Sequence, residues 1–300
     1  MTAVLLGSAD LVEHVVQHPL VRVGGVTLLS NHIVMQIIVA ALLAALVPRA
    51  LRPRGRDETG RLLPANLFGH AIEWVCLLIR KYIAEPALGA HTDRFITYLW
   101  TLFFFILFSN LLGMVPLDPW NGPLFGRHVI GGTATSNIWV TGTLAMCTFV
   151  LIVYEGLKAH GFGYLKHFFL VGPWWMAWLL GPLEILSLFV RTFALTVRLW
   201  ANMVAGHLIL AVLHVFTIGA AAWLGAGLLA TIGGLVLIAL LIGGSLFVHL
   251  LEVLLVAPLQ AVIFTTLTAV FIGQAINIGQ DAHAQTAEPP GAAALAAARH

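Results

Sequence analysis

Charge is what this sequence has least of, because only 9% of its 300 residues are Asp, Glu, Lys or Arg. Soluble domains carry about 25% charged residues, and 60% of this chain is hydrophobic, so the composition predicts a membrane protein. The net charge of +2 comes without a basic run interleaved with aromatics, which excludes a nucleic-acid surface. The two cysteines, Cys76 and Cys147, are far apart and have no nearby ligand partners. We therefore expect no disulfide framework, no metal site and no cofactor.

The amino-terminal residues lack the basic region of a signal peptide and carry Asp10 and Glu13 instead. We therefore expect internal apolar segments to insert the chain into the membrane. The organisation predicted is an extracytoplasmic segment over 1–30, a membrane domain over 31–275 and a flexible tail over 276–300, which is rich in Ala, Pro and Gly.

Three apolar segments predict the first membrane spans: Ile33–Val47, Phe95–Val115 and Ile138–Val153. Basic residues follow the first and third spans, whereas Leu117–Thr135 after the second has no basic cluster. By the positive-inside rule the amino terminus lies outside and the carboxyl terminus lies in the cytoplasm. Leu62–Ala84 mixes apolar and charged residues, which predicts an amphipathic helix on the cytoplasmic surface.

The last third of the chain, about 171–275, is nearly free of charge. About 100 residues form ~150 Å of helix, whereas two upright spans use only ~40 residues. The segment therefore forms either more than two spans or two long, strongly tilted helices. Small residues at Gly225–Gly234 favour a reversal between Pro182–Ala222 and Thr231–Gln274. The predicted fold is all-α and polytopic, with about five to six helices that include the surface helix and a long carboxyl-terminal antiparallel hairpin.

Three polar pairs share one centre if these two segments form a hairpin. Their residue numbers average 229 or 229.5, inside the glycine tract, and the pairs are Arg198 with Gln260, His207 with Glu252 and His214 with Ser245. Such pairs lie at matching depths, as groups that line one ion path do.

The chemistry of these residues separates a fixed charge from titratable groups. A guanidinium keeps its proton at accessible pH, so Arg198 is a permanent cation. Glu184, Arg191 and Arg198 are spaced by seven and share one helix face. His207 lies nine residues past Arg198, on the opposite side at ~100° per residue. His207 and Glu252 can change charge near physiological pH when contact or desolvation shifts them. This pattern predicts an interrupted path for ions, and we expect protons.

Three segments resemble a known family: RLWANMVAGH at Arg198–His207, with Glu184 fourteen residues before it; LQAVIFT at Leu259–Thr265; and FSNLLGMVP at Phe108–Pro116. They resemble subunit a of F-type ATP synthases, and the resemblance covers Asn31 to Gln274. It implies a stator subunit in a bacterial inner membrane, beside a rotating ring of small hairpin proteolipid subunits that carry carboxylates. Peripheral-stalk subunit b and the rest of the complex are the other implied partners.

The resemblance also assigns roles. Arg198 is the essential arginine, which separates two offset half-channels, and Glu252 supplies an acid opposite His207. Gln260 lies near Arg198, and Asn202 and Glu184 line or support the half-channels. Further candidates are Arg191, His214, His249 and Ser245. In the family pattern the acid and the glutamine are seven residues apart, whereas Glu252 and Gln260 are eight apart; a bulge at Pro258 can absorb the extra residue.

Two other functions compete with this interpretation. A b-type cytochrome uses intramembrane histidines as haem ligands, and His207 and His214 share one helix face. A secondary ion transporter shows internal repeats, which the two halves of this sequence lack. The chain has no phosphate-binding loop, so we expect it to be a non-catalytic component of a proton-transporting complex.

Overall fold

The computed structural model describes residues 19–23, 26–56, 62–64, 66–115, 134–160 and 174–277. Its helices are α1 (Asn31–Ala50), α2 (Leu67–Leu78), α3 (Glu85–Leu88), α4 (Thr92–Gly113), α5 (Ile138–His160), α6 (Trp174–Ala221), α7 (Leu228–Leu251) and α8 (Ala257–Asn277). One π turn, Ile79–Ala84, joins α2 to α3, and a second, Glu252–Val256, joins α7 to α8. Short 3-10 turns occupy Gly89–His91 and Ala134–Ser136.

Two antiparallel strand pairs flank α1. The strands are β1 (Pro19–Val23) with β2 (Val26–Ser30), and β3 (Pro53–Arg56) with β4 (Leu62–Pro64). These strands were not predicted from the sequence, because stretches of three to five residues are too short for a clear periodic pattern. Neither pair belongs to a segment that could span the membrane, and the candidate spans among the described residues are helical, as predicted.

Five helical segments of the described chain are long and apolar enough to cross a membrane: Asn31–Ala50, Leu67–Gly113, Ile138–Ala159, Leu186–Ala221 and Leu228–Ile276. The polytopic, all-α fold class is thereby confirmed. The predicted spans Ile33–Val47 and Ile138–Val153 each fall within one of these segments, and Phe95–Val115 overlaps the second segment, which ends at Gly113. The predictions for 1–18, for the loops 116–133 and 161–173, and for the tail beyond Asn277 lie outside the described residues.

The predicted surface helix is continuous with the second span. It runs through α2, the π turn and α3, and it bends at Gly89, whose φ of +53° lies in a region that favours glycine. The segment folds back on α4, where the Trp100 indole donates a hydrogen bond of 3.0 Å to the Cys76 carbonyl oxygen. This contact anchors the start of the bundle.

Helix α4 forms the centre of the packed bundle. Eleven of its 22 residues are buried, and they pack with residues of α5, α6 and α8. Helix α8 approaches α3 so closely at Gly273 that any side chain there would overlap the Ala87 carbonyl oxygen. Glycine at 273 therefore permits a contact between two backbones, and this contact joins the end of α8 to α3.

The carboxyl-terminal hairpin consists of two long helical arms. The sequence left open whether this region forms more than two spans or two long helices, and the structure contains two long helical arms. Helix α6 has 48 residues, or ~72 Å, against ~30 Å of hydrocarbon core. The reversal occupies residues 222–227, where Gly225 and Gly227 have φ of +92° and +135°. It therefore lies at the start of the predicted glycine tract, and Gly233 and Gly234 belong to α7.

Candidate functional site

Helix α6 has one buried face and one exposed face. The buried residues recur every three or four positions: Thr192, Leu195, Thr196, Leu199 and Met203. The two threonine hydroxyl groups donate to carbonyl oxygens one turn earlier, at 3.1 Å and 3.4 Å. Because these hydroxyl groups are satisfied within the helix, α6 can bury this face against the bundle.

Arg198 lies on the exposed face of α6. Among the described residues, no carboxylate or hydrogen-bond acceptor pairs with its guanidinium. Gln260 is buried on α8, and no hydrogen bond joins it to Arg198 within that part of the chain. The arginine is therefore directed away from the bundle.

Glu252, unlike the exposed Arg198, is buried, and its carboxyl group lies between the two arms of the hairpin. Its side chain is 3% exposed, and neither oxygen has a hydrogen-bond partner among the described residues. It lies directly against Gly206, where an added Cβ would overlap its carboxyl group. The residue numbers 206 and 252 average 229, so the contact agrees with the predicted register of the hairpin.

The π turn at Glu252–Val256 contains the extra residue between Glu252 and Gln260. The backbone N–H of Ala257 donates to the Glu252 carbonyl oxygen, five residues back, as the wider ring of a π turn requires. Pro258 follows immediately and has no N–H to donate. The bulge predicted at Pro258 is thus present in the turn before it, and Glu252 and Gln260 are both buried.

The remaining predicted residues occupy the two arms of the hairpin. Asn202 and His207 are half-buried on α6, and the imidazole of His207 does not hydrogen-bond the Glu252 carboxyl group. His214 is exposed, and its Nδ1 lies 3.1 Å from the Leu210 carbonyl oxygen of its own helix. Ser245 and His249 are half-buried on α7. Glu184 belongs to α6, and its side chain lies outside the described part.

Arg191 shares the exposed face with Arg198, as the spacing of seven predicted, but it has partners within the chain. Its Nη1 donates to Gln274 Oε1 at 3.0 Å, and its guanidinium lies 5.8 Å from the centre of the Phe271 ring. These contacts join the two arms of the hairpin. Gln274 was not predicted as a partner, since its pairing with Arg191 depends on how α8 lies against α6.

A buried polar pair at the end of α4 was also missed. The Thr135 hydroxyl donates to Asn110 Oδ1 at 2.7 Å, and both residues are fully buried. Asn110 Nδ2 and Ser109 Oγ have no hydrogen-bond partner among the described residues. The sequence did contain a signal, since Ser109 and Asn110 are adjacent polar residues inside an apolar span. Their unpaired groups could form further hydrogen bonds at this end of the bundle.

Charged residues at the opposite end of α4 pair within the chain. Arg94 Nη2 donates to Glu155 Oε1 at 2.7 Å, and the Glu155 side chain is 6% exposed. Arg80 binds Asp93 at 2.6 Å. The pairing of Arg94 with Glu155 was not predicted, because the two residues belong to different spans and are 61 positions apart. Their contact shows that the start of α4 and the end of α5 lie at the same level.

Comparisons with known proteins identify the family. The family model described as ATP synthase A chain matches residues 33–273. The chain belongs to this family. It is 38% identical over 260 residues to "ATP synthase subunit a 2" of Prosthecochloris aestuarii, covering 86% of this chain and 72% of that protein. It is 37% identical over 252 residues to "ATP synthase subunit a 2" of Chlorobaculum tepidum, covering 82% of this chain and 63% of that protein.

A third relative agrees with these two. The "ATP synthase subunit a" of Chloroherpeton thalassium is 35% identical over 274 residues, covering 90% of this chain and 74% of that protein. The family match contains both arms of the hairpin, including the exposed Arg198 and the buried Glu252. The family resemblance stated from the sequence is confirmed, and the chain is a multi-pass membrane protein of the ATP synthase A chain family.

Proposed function

We propose that this chain is the proton-translocating stator subunit of an F-type ATP synthase and that Arg198 is its essential charge. The observation that carries the proposal is the exposed guanidinium of Arg198, which has no partner among the described residues and lies on a mostly apolar helix face that it shares with Arg191. Phe193 and Leu208 are more than 40% exposed on α6. A soluble protein does not display such a face, so its neighbours are lipid and apolar protein.

The energetics favour a partner for Arg198 in another subunit. An arginine in the middle of a membrane helix costs about 2.5–3.5 kcal/mol on insertion scales. Arg191 lowers such a cost through Gln274, whereas no described residue does so for Arg198. A carboxylate on a ring of small hairpin proteolipid subunits has the required charge. The exposed leucines of α7 suit the apolar helices of such a ring.

A barrier next to two half-channels is the mechanism that these residues support. Glu252, with His207 and Asn202 on the facing arm, passes protons to and from the ring carboxylate, and Glu184 supports a half-channel further along α6. Arg198 holds the deprotonated carboxylate on the ring and prevents protons from crossing directly between the half-channels. Gln260 supports this region from α8. Proton flow then turns the ring and drives ATP synthesis in the rest of the complex, while this chain itself hydrolyses nothing.

The same proposal covers location and the remaining partners. The chain lies in a bacterial inner membrane, with the segment 1–30 outside and the tail 276–300 in the cytoplasm. The ion pairs at the start of α4 and the end of α5 support one charged cytoplasmic end. Peripheral-stalk subunit b binds this chain and holds it against rotation.

The experiment replaces Arg198 with Ala and Arg191 with Ala in the complete ATP synthase. Arg198→Ala should abolish ATP-driven proton pumping in vesicles while the complex remains assembled. In vesicles stripped of the soluble motor it should let an imposed pH gradient decay passively, because each 100 mV is worth ~2.3 kcal/mol per charge once the barrier is lost. Arg191→Ala is the matched control, because it removes an arginine from the same face and should retain pumping.

Substantial coupled pumping by an assembled Arg198→Ala complex contradicts the proposal. Equal losses in the two variants would show that the exposed face needs positive charge in general. A blocker of the ring carboxylate, added to the stripped vesicles, distinguishes conduction through the membrane sector from damage to the bilayer.

A further inference from the structure

The absence of a side chain at Gly206 determines where the Glu252 carboxyl group can lie. A Cβ at 206 would overlap both Oε1 and the carboxyl carbon of Glu252. The carboxyl group thus occupies the volume that any other residue at 206 would fill. Gly206 lies in the middle of α6, where its φ is helical, so no backbone conformation demands glycine there.

The π turn explains how Glu252 comes to face Gly206. At ~100° per residue, two residues eight apart on a regular α-helix are separated by ~80°, whereas two residues seven apart are separated by ~20°. The π turn takes up one residue, so Glu252 returns to the buried side that Gln260 also occupies. The carboxyl group is then directed at α6, where only glycine leaves room for it.

We propose that Gly206 is a positioning residue, which sets the place of the Glu252 carboxyl group for proton transfer. The inference rests on the proposed function, since it assumes that Glu252 lies on the proton path. The charged or titratable groups on the facing arm are Glu184, Arg191, Arg198, His207 and His214, and His249 lies on the arm of Glu252 itself. Leu111 of α4 and Met114, the residue that follows this helix, are the apolar groups next to Val253. Displacing the carboxyl group therefore changes both its distance to these groups and its surroundings.

The test compares Gly206→Ala with Gly219→Ala in the complete complex. Gly219 belongs to the same helix, and a Cβ added there meets no atom within 4 Å, so both changes give the same gain in helix propensity. Gly206→Ala should lower the initial rate of ATP-driven proton uptake about tenfold, since a shift of ~1 Å in a reacting group has an effect of this size or larger. It should also move the pH of half-maximal uptake, which a purely structural defect does not do. Gly219→Ala should change neither quantity.

A second variant, Gly206→Ala with Glu252→Asp, keeps the test decisive if Gly206→Ala fails to assemble. Asp is one methylene shorter, so the double variant should restore assembly and recover uptake to at least about a third of the original rate. Uptake by Gly206→Ala within twofold of Gly219→Ala, or no recovery in the double variant, overturns the inference. Glu252→Gln separates the two proposals: full uptake by this variant contradicts the proton path itself, whereas a block by Glu252→Gln beside a normal Gly206→Ala contradicts only the positioning role.

Discussion

Helices α4 and α7 are both apolar and of similar length, yet the chain uses them differently. Half of α4 is buried within the bundle, whereas Gly234 is the single buried residue of α7. Hydrophobic composition alone does not distinguish them, because lipid and a protein core accept the same side chains. Burial within the subunit is what separates a helix that holds the bundle together from one that presents a face to lipid or to another subunit.

Charged residues also differ between the bundle and the hairpin in whether they are paired within the chain. In the bundle, Arg94 and Glu155 form an ion pair within the chain. In the hairpin, Arg198 and the carboxyl group of Glu252 have no such partner among the described residues. An unpaired charge or buried carboxyl group is costly, so its retention in the hairpin favours a role with protons or another subunit. Changes in the bundle should therefore affect stability, and changes in the hairpin should affect transport.

The largest effect on stability should come from Gly273→Ala. The new Cβ overlaps the Ala87 carbonyl oxygen, which is backbone and cannot rotate away, so we expect a loss of about 3 kcal/mol. The measurement is the temperature at which the detergent-solubilised complex dissociates. The control is Gly243→Ala on α7, where a Cβ meets no atom within 4 Å. Equal thermal stability of the two variants would show that α8 and α3 are not in tight contact.

A smaller loss of stability should follow from Arg94→Gln. It removes the partner of the buried Glu155 carboxylate, and we expect about 2 kcal/mol, reduced from the value for a fully buried pair because the Arg94 side chain is 44% exposed. The double variant with Glu155→Gln should recover part of the loss, since no charge is then left unpaired. Proton uptake per assembled complex should stay normal. A large loss of uptake with unchanged stability would place this pair in the transport path.

The smallest effect should come from His207→Ala, and it should concern transport alone. We expect proton uptake to fall about fivefold, equivalent to ~1 kcal/mol, with a changed pH dependence and no passive leak. His214→Ala is the control, since His214 is exposed and its hydrogen bond is to its own helix.

The exchange His207→Glu with Glu252→His should recover more uptake than either single change. An exchange no better than the worse single variant would show that these residues do not act as a pair.

The register of the hairpin was predictable to within a turn. The three polar pairs gave a centre of 229 or 229.5, and the contact of Gly206 with Glu252 has the same centre. Periodicity also placed Arg191 and Arg198 on one face. The pairing of Arg191 with Gln274 was not predictable, because it depends on the course of α8 after the π turn. A register shift of one residue at this turn changes which residues of α6 every later residue of α8 contacts.

The amino-acid sequence by itself determined that this chain crosses the membrane, where its helices lie and which residues carry charge within them. Hydrophobic length, small-residue turns and the spacing of Arg198, His207 and Glu252 are local properties that can be read along the chain. Tertiary structure alone decided which charges are paired and which side chains face outward. Those outcomes depend on distances between atoms of different helices. Gly206 is an example: it has no side chain, and its role follows only from the position of the Glu252 carboxyl group, which occupies the space where a Cβ would lie.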